Sequence, residues 1–138
     1  MKKHLATTLL ILMLVALTGL GNAQTRSMIK AQIPFDFSVN GRIMPAGECT
    51  ISIEDDGLRI LWIASGDEHA YVLPTPTQSR DASTDTTLVF RQYGDRYFLA
   101  KINREGSSSG YELTTSRVER ELARNTTGKV VTLLASAK

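Results

Sequence analysis

From Met28 onward the apolar residues of this chain fall at every second position in short runs, and turn-forming residues break those runs every eight to twelve positions. Phe35, Phe37 and Val39 alternate with Asp36 and Ser38, and Cys49, Ile51 and Ile53 alternate with Thr50 and Ser52. A period of two places successive side chains on opposite faces of a strand, so each run reads as a strand with one face toward a core. Asn40-Gly41 predicts a two-residue hairpin turn, since both residues tolerate positive φ. Pro45-Ala46-Gly47 reads as a type I turn, and Asp55-Asp56-Gly57 as another. Leu58 to Ala64 is apolar at nearly every position, as a central strand covered on both faces would be. His69 to Leu73, Tyr111 to Leu113 and Val130 to Leu134 read as further strands. Pro34 interrupts the first run, and a Pro within a sheet implies an edge or a bulge. Pro74 to Asp85, rich in Pro, Ser, Thr and Asp, reads as the longest and most mobile loop of the core.

The most patterned stretch is LVFRQYGDRYFLAKI, Leu88 to Ile102. Leu88 and Phe90 share one face, Phe98, Ala100 and Ile102 share another, and Gly94-Asp95 sits between as a hairpin loop. Tyr93, Asp95, Arg96 and Tyr97 bring an acid, a base and two phenols within five positions. Turn chemistry and cross-strand aromatic pairing account for them without catalysis. Near the C-terminus, Ser116-Arg117-Val118-Glu119 is a capping box, opening a helix that runs to about Asn125. Val118 and Leu122 supply its apolar stripe, and Arg117 can pair with Glu121 one turn on. The fold expected is mainly β: an antiparallel β-sandwich or partly open β-barrel of seven or eight strands, with one short C-terminal helix.

The N-terminus changes where this domain is expected to work. Lys2 and Lys3 precede an uncharged apolar run from Leu5 to Leu20, followed by the small-residue end Gly21-Asn22-Ala23. That order predicts a secretory signal peptide over residues 1–23, cleaved after Ala23, with 24–138 as a single exported β-domain. The apolar run is shorter than the roughly 20 residues of a membrane span, so none is expected in the mature chain. The leader holds two of the 16 Lys and Arg and none of the 14 Asp and Glu, so the mature chain carries 14 of each. A net charge of zero removes the electrostatic case for nucleic acid as a partner. Cys49 is the one cysteine, so no intrachain disulfide can form.

Candidate chemistry is sparse. Gly106-Ser107-Ser108-Ser109-Gly110 has the spacing of a nucleophile elbow, but no His follows it and its composition is that of a flexible linker. His69 is the only His after the leader and has no Ser or Cys at a catalytic spacing. One His and one Cys twenty positions apart do not make a zinc site. Asp55-Asp56 and Asp81 to Asp85 lack the spaced acidic pattern of a calcium loop. Cys49 is in phase with Ile51 and Ile53, which predicts a buried, inert thiol rather than a point of covalent assembly. Asn125-Thr126-Thr127 matches a glycosylation sequon. The sequence therefore names no catalytic residue, no metal ligand, no cofactor and no ligand-binding residue.

Four segments together resemble a family of small exported proteins abundant in soil acidobacteria: Pro34-Phe35-Asp36-Phe37, Met44 to Thr50 (a variant of LPAGEYT), Leu88 to Leu99, and Glu112-Leu113 with Ser116 to Glu121. The chain departs from that pattern at Cys49, where an aromatic is usual, and at Thr114, where Pro is usual. The resemblance implies secretion and a mostly β domain, and assigns no catalytic residues. Three functions then stand. The first is a non-enzymatic exported domain, periplasmic or extracellular, that binds or assembles with an envelope component. The second is a small-ligand carrier with a cavity inside a barrel. The third is a hydrolase with an unusual site around Asp95, Tyr93 or His69. The oligomeric state is left open.

Overall fold

A computed structural model of the chain describes residues 27–55 and 58–137, and for Asp55 only the backbone. The expected leader and the Asp56-Gly57 turn lie outside the described residues. Twelve strands and one helix follow in order: β1 Ser27–Ile33, β2 Phe37–Val39, β3 Arg42–Met44, β4 Gly47–Asp55, β5 Arg59–Ser65, β6 Glu68–Val72, β7 Thr75–Gln78, β8 Thr87–Tyr93, β9 Arg96–Asn103, β10 Ser109–Glu112, α1 Arg117–Asn125, β11 Lys129–Leu134 and β12 Ser136–Ala137. They form two sheets and no closed barrel. Sheet A runs β12-β1-β4-β5-β6, and sheet B runs β11-β8-β9-β10-β7 with the β2–β3 hairpin attached to β9.

The alternating pattern places the core between the sheets. Ile29, Ile33, Cys49, Ile51, Leu61 and Ile63 of sheet A meet Phe37, Met44, Leu88, Phe90 and Ile102 of sheet B, all fully buried. Phe90 is the aromatic centre, with Phe35 and Phe37 edge-on to its ring at 5.2 and 5.6 Å between centroids. Tyr97 stacks on the far side of Phe35 at 3.7 Å.

Both two-residue turns form where turn chemistry puts them. Asn40 and Gly41 have φ of 48° and 80°, joining β2 to β3. Gly94, at φ 62°, turns β8 into β9 with Tyr93 opposite Arg96. A side chain at Gly94 would meet nothing within 4 Å, so any cost of one is backbone strain alone. Gly94→Val is therefore expected to lose about 1–2 kcal/mol, the penalty for a left-handed L-residue. Coinciding urea midpoints for variant and wild type would rule this turn out.

Several expectations need correction. Pro45-Ala46 links β3 to β4, which belong to different sheets. Here the chain crosses the sandwich, held by Ala46 N–H donating to Asp36 Oδ1 (2.8 Å) and Ser65 Oγ donating to Pro45 O (2.7 Å). Strand β5 is covered on one face only: Leu61, Ile63 and Ser65 are buried, Ile60, Trp62 and Ala64 are half-buried, and Leu58 is exposed. Pro34 follows β1 rather than interrupting it. The 74–85 segment is not a free loop, for it holds β7, paired with β10. Pro76 is tolerated there because β7 is an edge of sheet B, where a missing N–H breaks no interior ladder. The Gly/Ser segment 106–110 is likewise not a linker. Ser79 N–H donates to Ser108 O, Ser83 N–H to Ser107 O, and Gly106 N–H to Ser83 O.

The β8–β9 pairing slips between Val89 and Phe90, so that Lys101 faces Val89, Leu99 faces Phe90, and Ala100 is left over. This bulge reverses the expected phase: Leu99 and Ile102 join the core, while Phe98 lies opposite Arg91 on the other face. The edge of β9 also changes partner here. Tyr97 and Phe98 pair in parallel with β2, and Lys101 to Asn103 pair with β10.

Candidate functional site

Of the acid, base and phenols of the β8–β9 hairpin, Asp95, Arg96 and Tyr97 border one shallow recess, while Tyr93 turns away to α1. The Tyr97 ring is committed to Phe35. Arg96 lies over the Phe98 ring at 5.5 Å. Asp95 lines that recess, of about 180 Å³, with Asp36, Ser38 and Ile43. Tyr93 packs edge-on to Phe98 and turns its hydroxyl to Glu119 Oε1 at 3.5 Å. His69, the remaining catalytic candidate, belongs to the other sheet, where it stacks beside Trp62.

Ser116 caps α1 as its sequence predicts, with Oγ accepting from Glu119 N–H at 3.2 Å. The second half of the box is not made. Instead the Glu119 carboxylate turns onto sheet B and accepts from Arg91 Nε at 2.5 Å, while Arg91 Nη2 donates to Thr115 Oγ1 at 3.3 Å. Glu119 is 2% exposed, whereas Val118, half of the predicted apolar stripe, is 41% exposed. The helix thus docks through a buried ion pair. Arg117 and Glu121 do pair at 3.1 Å, in solvent. This cluster is mutually satisfied, which marks it as structural.

Cys49 lies fully buried beside Ile51 and Ile53, as its phase predicts. Burial pushes its thiol up from 9.0 to about 12, since no water solvates the thiolate. Only the thiolate is nucleophilic, so the native protein should react with a thiol reagent at its unfolding rate. The linkage has a definite sign. The unfolded chain sheds this proton near pH 9 and the folded chain does not, so the stability held below pH 9 falls as pH rises toward 12. Cys49→Val should cost under about 1.5 kcal/mol and flatten that alkaline decline. Cys49→Ser should cost about 1–3 kcal/mol, for an unpartnered buried hydroxyl. Rapid labelling of the native protein would show the thiol to be exposed.

The arrangement that offers a binding surface is at the side of the sandwich where β6 ends sheet A beside the β2–β3 hairpin of sheet B. On the opposite side the chain itself joins them: β11 edges sheet B, β12 edges sheet A, and Ala135 between them donates its N–H to Thr86 O. On the β6 side the chain joins the sheets as well, through Leu73-Pro74 between β6 and β7, and β3, which among the described residues pairs with β2 alone, lies beside β6. A groove of about 320 Å³ runs between them, lined by Val39, Asn40 and Arg42 from the hairpin and by His69, Ala70 and Tyr71 from β6. Arg42 and Glu68 span its end at 3.7 Å. Around it Tyr71 and Leu73 are each 66% exposed and Ile43 is 63% exposed. The β6 run was legible in the sequence as a strand. Its position at an edge was not, because that depends on which strands fail to pair with it.

Among the described residues, no three His, Cys, Asp or Glu side chains gather as metal ligands would. No described helix is long and apolar enough to cross a membrane. No family model, curated protein or solved structure matches the chain.

Proposed function

We propose that this chain is a non-enzymatic exported domain of the cell envelope or extracellular space. It works by assembly, adding an extended polypeptide strand at the exposed edge of β6. One observation carries this reading: among the described residues the outer edge of β6 has no paired strand, and a groove lies along it. Edge strands present rows of unpaired N–H and C=O groups, and in natural proteins they are usually blunted by Pro, bulges or charge. β6 carries Glu68 at its start, then His69-Ala70-Tyr71-Val72, with no Pro and no Lys. An added strand would gain main-chain hydrogen bonds along β6, and its alternate side chains would meet Tyr71, Leu73 and Ile43. Its chemistry follows from that contact: extended, apolar at every second residue, and without a bulky charge against Arg42 and Glu68. Export is supported by the leader pattern and by the resemblance to small exported proteins.

The test places a photo-crosslinking residue at Tyr71 in the exporting cell. It should join to one polypeptide through an extended apolar segment, and the same residue at Arg120 on α1 should not. Tyr71→Lys, which puts a gatekeeping charge at the edge, should abolish assembly while leaving the fold intact. Equal crosslinking from both positions would refute strand addition. N-terminal sequencing of the same material should read Gln24-Thr25-Arg26; an intact Met1 would refute cleavage.

A further inference from the structure

At one end of the sandwich the start of β1, the end of β4 and the start of β5 face the turn between β9 and β10, leaving a recess of about 190 Å³. Its lining holds two guanidinium side chains, Arg59 and Arg104, and two hydroxyls, Ser27 and Ser109, over a floor of Ile53 and Tyr111. Ile53 and Tyr111 are each 5% exposed, so the floor is part of the core wall. Arg104 lies above the Tyr111 ring, its guanidinium carbon 5.7 Å from the ring centre. Yet Arg104 Nε is enclosed, with no hydrogen-bond partner among the described residues. A buried donor left unmade costs about 1–3 kcal/mol, and stacking on Tyr111 holds the guanidinium plane without satisfying that N–H. Nε–H and one Nη–H together form the side-on fork that takes both oxygens of a carboxylate, or two of a phosphate. Arg104 is the recess cation with an enclosed N–H that no described group accepts.

We infer that this recess is a binding site for a small oxyanion, held side-on by Arg104 with Ser109 and Ser27 as flanking hydrogen-bond donors. The site is separate from the β3–β6 groove, and its existence does not depend on strand addition there. The bound group is a carboxylate or phosphate on a small solute, whose apolar or sugar body would rest between Ile53 and the hydroxyls.

The decisive measurement is nuclear magnetic resonance of the arginine Nε–H signals in the purified exported protein. It is titrated separately with glucuronate and with inorganic phosphate, at constant ionic strength set with chloride. The Arg104 signal should move saturably with at least one of them; the pair of titrations tells a carboxylate site from a phosphate site. Calorimetry should show binding weakened about tenfold or more in Arg104→Gln, which loses a charge-assisted bond. Arg104→Lys keeps the charge and loses the fork, so it should fall between the two. Arg120→Gln, on the exposed helix, should bind as wild type does. If neither anion moves the Arg104 signal saturably, or if Arg104→Gln binds undiminished, the site does not exist. The wild-type titration decides the matter even if a variant fails to fold.

Discussion

Phe90→Ala is expected to remove about 3–5 kcal/mol of stability, much of what a domain of this size possesses. Phe90 is fully buried, and its ring is the one that both Phe35 and Phe37 meet edge-on. Truncation would take away the transfer free energy of the ring and leave a cavity bounded by strands of both sheets. Those strands are fixed by ladders on each side: β8 pairs with β9 and β11, so collapse onto the hole would strain two pairings. The two aromatic contacts add about 0.5–1.5 kcal/mol each beyond the buried area. In urea the midpoint should drop with little change in slope, because the surface exposed on unfolding is nearly unchanged. Val130→Ala, at a residue 70% exposed on the edge strand β11, should stay within about 0.5 kcal/mol. A Phe90→Ala loss below about 1 kcal/mol would mean that the two sheets do not pack through this ring.

What could be read along the chain, and what could not, divides by the range of the interaction. The turns at Asn40-Gly41 and Gly94-Asp95 were legible because positive φ is a property of the turn residues themselves. The burial of Cys49 was legible from its phase with Ile51 and Ile53, and the helix start from the Ser116 hydroxyl. The crossing at Pro45-Ala46 was not, since Pro and Gly mark a change of direction without saying which sheet receives the next strand. Strand β7 was hidden because Pro76 and its polar neighbours form a strand only by pairing with β10. The bulge at Ala100 was hidden too: Phe98, Leu99 and Ala100 are all buried, so hydrophobicity alone does not say which of them faces the core. Both candidate sites are of this long-range kind. Arg104 is an ordinary loop cation in sequence, and becomes notable only when folding encloses its Nε. His69 to Leu73 is an ordinary strand until folding leaves its outer edge without a paired strand among the described residues.

Glu119 shows the same limit most sharply, and it carries the other large expected effect. In sequence it completes a capping box, where an exposed carboxylate stabilises the first helical turn by less than about 1 kcal/mol. In the fold its side chain is 3% exposed and ion-paired to Arg91, whose own side chain is 26% exposed. Glu119→Ala would strand the guanidinium of Arg91 between helix and sheet, with only Thr115 Oγ1 and the partial access of water to solvate it. Breaking a buried pair from one side typically costs 3–5 kcal/mol, and the quarter exposure of Arg91 puts this case near the lower end, about 3 kcal/mol. Arg91→Met should cost a similar amount by leaving the carboxylate unpaired. The double variant Arg91→Met with Glu119→Leu should be more stable than either single variant, because neither charge then remains to be solvated. The exposed pair Arg117–Glu121 supplies the contrast: its removal should cost about 0.2–0.5 kcal/mol and fade with added salt. Urea unfolding of the four chains in the Arg91–Glu119 cycle gives the coupling directly. A coupling below about 0.5 kcal/mol would make the pair an incidental surface contact, and α1 would then dock through Leu122 and the Ser116 cap alone.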